Sequence, residues 1–263
     1  MPASERSIRD AVLSHLQSGG RLTFFLDYDG TLIPIAPTPA EALADAALLQ
    51  LLAQLAGTVV IRTVILSGRP LADLRKMLPV RGLILAGLYG VEMQMGDIAL
   101  VRAPAGAQSR EIVSQVRGIW ARLTDGLPGF MLEDKGLALA LHARWAARDD
   151  AERIVDAARD AALEVIRSRP FRLLGGDRYI EIAPAMADKG ETVDWLLSEY
   201  PVRLDLPVVF GDDNKDDAAF AAVKRRGGYA IGVGHRYPLP GIDARVETPE
   251  MARDWLRNFV DDG

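Results

Sequence analysis

The stretch Phe24-Phe25-Leu26-Asp27-Tyr28-Asp29-Gly30-Thr31 sets two carboxylates one residue apart, directly behind three apolar residues. A buried strand ending this way carries charge to a place where it is costly unless paired or bound to a cation. Three more polar groups stand at similar boundaries. Ser67-Gly68-Arg69 follows the β-branched run that ends at Leu66, and Asp188-Lys189-Gly190 opens a helical pattern. Gly211-Asp212-Asp213 follows Pro207–Phe210, with Asp216 and Asp217 close behind. Two converging acidic loops make a hard, oxygen-rich site suited to Mg²⁺. Ser67 and Lys189 add a hydroxyl and an ammonium, both suited to a phosphoryl group. One carboxylate can attack phosphorus to form an aspartyl-phosphate, while a second protonates the leaving alcohol and later activates water.

Taken singly, each piece has an ordinary structural explanation. A lone D-x-D is often a cap or turn, and an acidic first helical turn is favoured by the helix dipole, although a lysine there is not. Together, each at a strand or helix boundary, they favour the catalytic reading. An EF-hand loop does not fit, because its glycine is the sixth residue and it follows a helix; here Gly30 is fourth and the loop follows a strand.

The elements that must position these groups alternate. An amphipathic helix ends at Gly19-Gly20, then a strand is expected at Leu22–Leu26, a helix at Pro39–Leu55 and a strand at Val59–Leu66. A helix at Pro70–Leu78 and a strand at Leu83–Leu85 follow, then a hairpin of Val91–Met95 and Ile98–Arg102 around Gly96-Asp97. This is the pattern of parallel βαβ units, whose ligands gather at the carboxyl ends of strands. From Ala107 the order becomes αββαββ: helix Ala107–Leu123, strands GFMLEDK and LALALHARW, helix Asp149–Arg167, strands FRLLGG and RYIEIAP. That order predicts an antiparallel sheet layered on two helices, a separate α+β module. Alternation resumes with helix Lys189–Glu199, strand Pro207–Phe210, helix Asp216–Val223, strand Gly228–Val233 and a last helix Pro249–Val260. The expected domains are therefore a core of residues 1–104 and 186–263 and an insert of residues 105–185.

At 263 residues with 49% hydrophobic and 25% charged residues, the chain can bury a full core. The net charge of −5 argues against general nucleic-acid binding. With no cysteine, disulfides and thiolate–zinc sites are excluded. The polar N-terminus and the lack of any long apolar run lead us to expect a cytoplasmic protein that engages neither membrane nor nucleic acid and acts as a monomer. Of the 31 basic residues only Lys76, Lys135, Lys189, Lys215 and Lys224 are lysines. In so arginine-rich a chain, a retained lysine suggests that a compact ammonium was needed.

FLDYDGT, ILSGR, the helix-opening lysine and GDDNKDD resemble the four motifs of the haloacid dehalogenase-like (HAD) phosphotransferases. The resemblance implies an α/β fold, a HAD-like Rossmannoid core with a parallel sheet and an inserted α+β cap (αββαββ, C2B type). It implies Asp27 as nucleophile, Asp29 as general acid/base, and Thr31, Ser67, Gly68 and Arg69 around the phosphoryl group that Lys189 neutralises. Mg²⁺ is implied at the Asp27 carboxylate, the Asp29 main-chain carbonyl and Asp212, with Asp213 and Asp216 in support. LEDKGLALALHAR, YIEIAP, LAGLYGVE and PVVFGDD are similar to the trehalose-6-phosphate phosphatases within that superfamily. There the cap holds the sugar through residues matching Glu133, Lys135 and Glu181, with Arg144 at a further cap position and the cap closing over the substrate.

Glu133 and Lys135, two apart in one strand, share a face and can supply acceptors and donors to adjacent hydroxyls. A surface ion pair of little energetic worth is the plain alternative. Two departures from the family pattern bear on the substrate: Tyr89 stands where the family has histidine, and Lys215 where it has threonine. The expected activity is Mg²⁺-dependent hydrolysis of trehalose 6-phosphate, with glucosylglycerol or amino-sugar phosphates as alternatives. A phosphomutase and a noncatalytic sugar-phosphate sensor are more remote. His142 is expected to be structural in the insert, and His15 and His235 to lie on the surface or in loops.

Overall fold

A computed structural model describes residues 5–102, 106–176 and 178–260. The chain divides into two compact units, Met1–Leu100 with Asp188–Gly263, and Val101–Ala187. The boundary expected at 104/105 falls outside the described residues.

The first unit starts with α1 (Glu5–Gln17), β1 (Arg21–Leu26), α2 (Ala46–Gly57), β2 (Ile61–Leu66), α3 (Leu71–Met77), β3 (Ile84–Gly87), β4 (Glu92–Met95) and β5 (Ile98–Val101). The second unit holds α4 (Gly106–Thr124), β6 (Met131–Asp134), β7 (Leu139–His142), α5 (Arg148–Ile166), β8 (Phe171–Gly176) and β9 (Tyr179–Pro184). The first unit is completed by α6 (Lys189–Glu199), β10 (Asp205–Gly211), α7 (Asp217–Arg225), β11 (Tyr229–Val233), β12 (Ala244–Val246) and α8 (Pro249–Arg257).

The eight strands of the first unit run in the order β12-β11-β10-β1-β2-β3-β4-β5. The first six are mutually parallel, and β4 is antiparallel to β3. Side chains alternate across this sheet. Leu22, Phe24, Leu26, Val208 and Phe210 pack with α1, α2, α3 and α8 on one face. Phe25, Val64, Leu66, Val209 and Ala230 pack with α6 and α7 on the other. Apolar residues on both sides explain why β1 and β10 read as continuous hydrophobic runs. Trp255 anchors the first face, with edge-on contacts to Phe24 and Phe210.

The second unit is a four-stranded antiparallel sheet, β6-β7-β9-β8, with α4 and α5 packed on one face. Its core includes Trp120, Leu141, Ile154 and Ile180, and the Trp120 indole donates to the Ala158 carbonyl at 2.9 Å.

Several expected elements are corrected. The single helix over Pro39–Leu55 is a short 3₁₀ turn at Pro39–Glu41 followed by α2. Asp45 caps α2 by accepting from Leu48 N at 2.7 Å, which competes with a continuous helix through that point. Val59 and Val60 are exposed residues before β2, despite their β-branched side chains. Lys135 stands one residue past the end of β6, not inside it. The short edge strand β12 carries too few residues to show a period. Arg253 of α8 is buried, donating to Leu32 O at 2.6 Å and to Asp45 at 2.6 Å, so that it ties the chain after Thr31 to the cap of α2.

Replacing Asp45 by alanine removes both the N-cap and the partner of Arg253. We expect a loss of about 1–2 kcal/mol in urea unfolding; an unchanged midpoint would show that neither contact contributes.

Candidate active site

In the first unit the chain leaves β1 towards β2 on one side, and β10 towards β11 on the other. The carboxyl ends of β1 and β10 therefore flank a switch point, the place where open α/β sheets bind ligands. Asp27 follows β1, and its N–H continues the ladder to Phe210 O at 3.1 Å. Asp212 follows β10. Among the described residues, Asp27, Asp212 and Asp216 form a buried trio whose oxygens lie within 4.8 Å of one another. Lys189, the first residue of α6, donates to Asp27 at 2.6 Å and to Asp216 at 2.5 Å. The second oxygen of Asp216 accepts from Asp212 N at 3.0 Å and Asp213 N at 3.2 Å, which holds the acidic loop in shape. Gly30 permits the close approach: at φ 88° it is in the left-handed region, and a Cβ there would overlap the Asp212 carboxylate.

Charge in this trio is poorly compensated. Burial, and then Asp216 and Asp213, raise Asp27 to about 7 against the pull of Lys189. Burial and the neighbouring carboxylates raise Asp212 to about 9. Asp216 is raised as well, chiefly by burial. Burial disfavours the charged form of Lys189, but Asp216, Asp27 and Asp213 outweigh it and raise its value. Three carboxylates facing one ammonium fit a hard divalent cation held by oxygen ligands.

Other expected site residues are placed as follows. Thr31 lies beneath Asp212, with Oγ1 at 3.5 Å from its carboxylate. Ser67 is buried and its Oγ accepts from Arg69 N at 3.2 Å. Asp213 faces Lys215, accepting from its N–H at 2.8 Å with the ammonium at 3.4 Å. Burial raises Asp213, but Lys215 and Lys189 bring it below its ordinary value. The Arg69 guanidinium forms a two-pronged pair with the Asp29 carboxylate, at 2.6 and 2.7 Å, and also donates to Pro39 O at 2.8 Å. Tyr89 is buried with its hydroxyl against Gly68, 2.6 Å from where a Cβ would stand. Leu88 and Tyr89 both adopt left-handed backbone, at φ 47° and 58°, a costly pair for residues with side chains. Thr192 of α6 holds this turn by donating to Tyr89 O at 2.8 Å.

Sequence reasoning missed Arg253, Thr192 and Glu92, whose carboxylate accepts from Leu71 N at the start of α3. Arg253 lies more than two hundred residues from its partner Leu32, so no local pattern could reveal it.

The second unit holds a separate polar cluster on the sheet face opposite its helices. Lys135 Nζ lies 3.0 Å from Glu181 and 3.9 Å from Glu133. His142, expected to be merely structural, joins Glu133 at 2.9 Å. The Tyr179 hydroxyl, which sequence reasoning also missed, donates to Glu181. Arg144 lines a cavity of about 550 Å³ within this unit, together with Arg148, Glu152, Asp156 and Arg178.

The family model described as Trehalose-phosphatase matches residues 25–237. The chain belongs to the trehalose-phosphatase family. It is 32% identical over 217 residues to the trehalose-6-phosphate phosphatase of Escherichia coli, covering 81% of this chain and 78% of that one. An uncharacterized glycosyl hydrolase of Mycobacterium tuberculosis is 33% identical over 262 residues, covering 95% of this chain. The chain spans only 19% of that relative's length. The C-terminal domain of a Candida albicans trehalose-6-phosphate phosphatase superposes with a TM-score of 0.85 at 24% identity, covering 99% of both chains. That likeness carries the fold, an α/β core with a mostly parallel sheet and an α+β insert. Among the described residues, no helix is long and apolar enough to cross a membrane.

The raised carboxylates give a signed expectation. Asp27 and Asp212, ordinarily 3.8, are raised to about 7 and about 9 when folded, so the folded protein holds protons that the unfolded chain releases. Without a cation, their contribution is fully present below the unfolded value and is lost as pH rises through 7 and then 9. A divalent cation replaces those protons, so the gain in Tm on adding Mg²⁺ should be larger at about pH 8 than at about pH 6. An equal or smaller gain at the higher pH would show that the trio does not take the ion.

Proposed function

We propose that the protein is a Mg²⁺-dependent phosphatase acting on trehalose 6-phosphate, the reaction printed in the name of its Escherichia coli relative. The observation that carries this reading is the Asp27–Lys189 pair inside the buried carboxylate trio, in a chain of the trehalose-phosphatase family.

Asp27 is the nucleophile: its carboxylate oxygen bonds to phosphorus as the bond from phosphorus to the sugar oxygen breaks, leaving an aspartyl-phosphate. Asp29 gives a proton to the departing sugar oxygen and then takes one from the water that attacks phosphorus, which releases inorganic phosphate and restores Asp27. Arg69 orients Asp29 through its two-pronged pair. Thr31, Ser67 and the backbone at Gly68 receive the phosphoryl oxygens, and Lys189 offsets their charge. Mg²⁺, held by the Asp27 and Asp212 side chains and the Asp29 carbonyl with Asp216 and Asp213 behind them, would neutralise charge on the transferring group. Burial strengthens each of these interactions relative to water.

The insert acts as a cap that confers sugar specificity, through Glu133, Lys135, Glu181 and Arg144. Tyr89, packed on Gly68, departs from the histidine that the family resemblance implies, which favours testing other sugar phosphates as well.

Two outcomes are expected. Asp27→Asn should lower Mg²⁺-dependent phosphate release by about a thousandfold or more while leaving the circular-dichroism melt in place; near-normal release would remove Asp27 as the nucleophile. Glu133→Ala or Lys135→Ala should lower kcat/KM on trehalose 6-phosphate about ten- to a hundredfold more than on p-nitrophenyl phosphate. Equal losses on both esters would mark the pair as structural. A phosphate-release panel of sugar phosphates, with and without Mg²⁺, ranks trehalose 6-phosphate against its alternatives.

A further inference from the structure

The turn between β3 and β4 bonds to both elements that the proposed reaction uses to hold the phosphoryl group. Leu88–Gly90 forms a short 3₁₀ turn there. Leu88 N donates to Arg69 O and Tyr89 N to Ser67 O, each at 2.8 Å. Ser67 N donates back to Ala86 O at 2.9 Å, so residues 86–89 follow the backbone of the loop Ser67-Gly68-Arg69. On its other side the turn meets α6: Tyr89 O accepts from Thr192 Oγ1 at 2.8 Å, and Thr192 stands three residues after Lys189. Thr192 is fully buried, so this bond is shielded from water and strengthened by its surroundings.

The turn carries large side chains where the backbone resists them. Hairpin turns in left-handed conformation favour Asn and Gly, yet Leu88 and Tyr89 occupy two such positions in succession. Strain of this kind persists only where the surroundings enforce it, and it points to a task for the side chain. Both residues are buried. The Tyr89 ring lies on Gly68, where a Cβ would stand 2.6 Å from its hydroxyl oxygen and 2.7 Å from the ring carbon that bears it. A Cβ at Gly90 would overlap the Thr192 hydroxyl, so turn and helix are in direct contact. Just beyond the turn, Glu92 accepts from Leu71 N at 2.8 Å and ties the start of α3 to the same assembly.

We propose that this turn is a brace that sets the phosphoryl-binding loop against the helix presenting Lys189. Its two N–H groups fix Ser67 and Arg69, the Tyr89 ring holds the Gly68 backbone where phosphoryl oxygens are received, and the Thr192 bond couples the loop to α6. Tyr89 and Thr192 are then positioning residues for phosphoryl binding. This assignment rests on the phosphatase reading given above.

The test titrates the full-length protein with inorganic phosphate by calorimetry in the presence of Mg²⁺, and compares variants. Thr192→Val removes the donor at nearly constant volume and should raise the Kd of phosphate by about five- to tenfold, the worth of one buried hydrogen bond. The gain in Tm on adding Mg²⁺ should stay as in the wild type. Thr192→Ser, which keeps the donor, should recover most of the affinity. Tyr89→Leu, which removes the ring, should weaken phosphate several-fold more than Tyr89→Phe, which keeps it. On p-nitrophenyl phosphate, Thr192→Val and Tyr89→Leu should raise KM more than they lower kcat. An unchanged Kd in Thr192→Val would overturn the assignment, as would a Thr192→Ser as weak as Thr192→Val or equal losses in the two Tyr89 variants. Loss of the Mg²⁺ response together with phosphate affinity would mark Thr192 as a general support of the fold and overturn it too. If the wild type binds phosphate but releases none from p-nitrophenyl phosphate with Mg²⁺, the phosphatase reading fails instead, while the binding comparison still decides the role of the turn.

Discussion

Three carboxylates share one ammonium at the carboxyl edge of the central sheet, and most of the first unit can be understood as the means of sustaining that crowding. Asp27 and Asp216 both bond to Lys189, and Asp212 stands close enough to be raised by both. Left alone, such a group repels itself and favours protonation. Its persistence depends on rigid supports: the β1–β10 ladder, Gly30 beside Asp212, and the backbone donors of the acidic loop on Asp216. Lys189 itself occupies the first turn of α6, where the helix dipole disfavours a cation. The two carboxylates offset that cost, which is why a lysine at this position carries more information than one on a helix surface.

In the proposed function, reaction and recognition reside in different units. The first unit holds the groups proposed to act at phosphorus, all issuing from strand ends or the start of α6. The second holds a network of charged and neutral hydrogen-bonding groups on one face of a small sheet. Hydrogen-bonded networks of this kind discriminate between substrates that differ by one hydroxyl, because each unmatched group is left unpaired. In the first unit the Arg69 guanidinium, placed by the turn after β2, grips the Asp29 carboxylate in the two-pronged geometry that lysine could not supply.

Much of this was legible in the sequence wherever chemistry and local pattern coincide. The strand ends at Leu26 and Leu66 follow from apolar runs broken by Asp27 and Ser67, β10 runs one residue past the expected Phe210 to Gly211, and the αββαββ insert follows from its alternating periods. What escaped had physical reasons. The Asp45 cap interrupts an Ala/Leu-rich stretch whose propensity alone favours one long helix. Arg253 acts at Leu32 through tertiary packing alone. The contact of Tyr179 with Glu181 depends on where its hydroxyl is aimed, and spacing cannot specify that. Arg69, read from the SGR motif as a phosphate ligand, has its side chain on Asp29, because the turn aims the guanidinium along the loop after β1.

The central claim is that Asp27 itself becomes phosphorylated. Rapid quenching of the protein with trehalose 6-phosphate and Mg²⁺, followed by borohydride reduction and peptide mass spectrometry, reads this directly, since an acyl-phosphate is reduced to the alcohol. The account predicts homoserine at position 27, formed only when substrate and Mg²⁺ are both present. Phosphate release without any reduction product at Asp27, or with the product at Asp29, would contradict it.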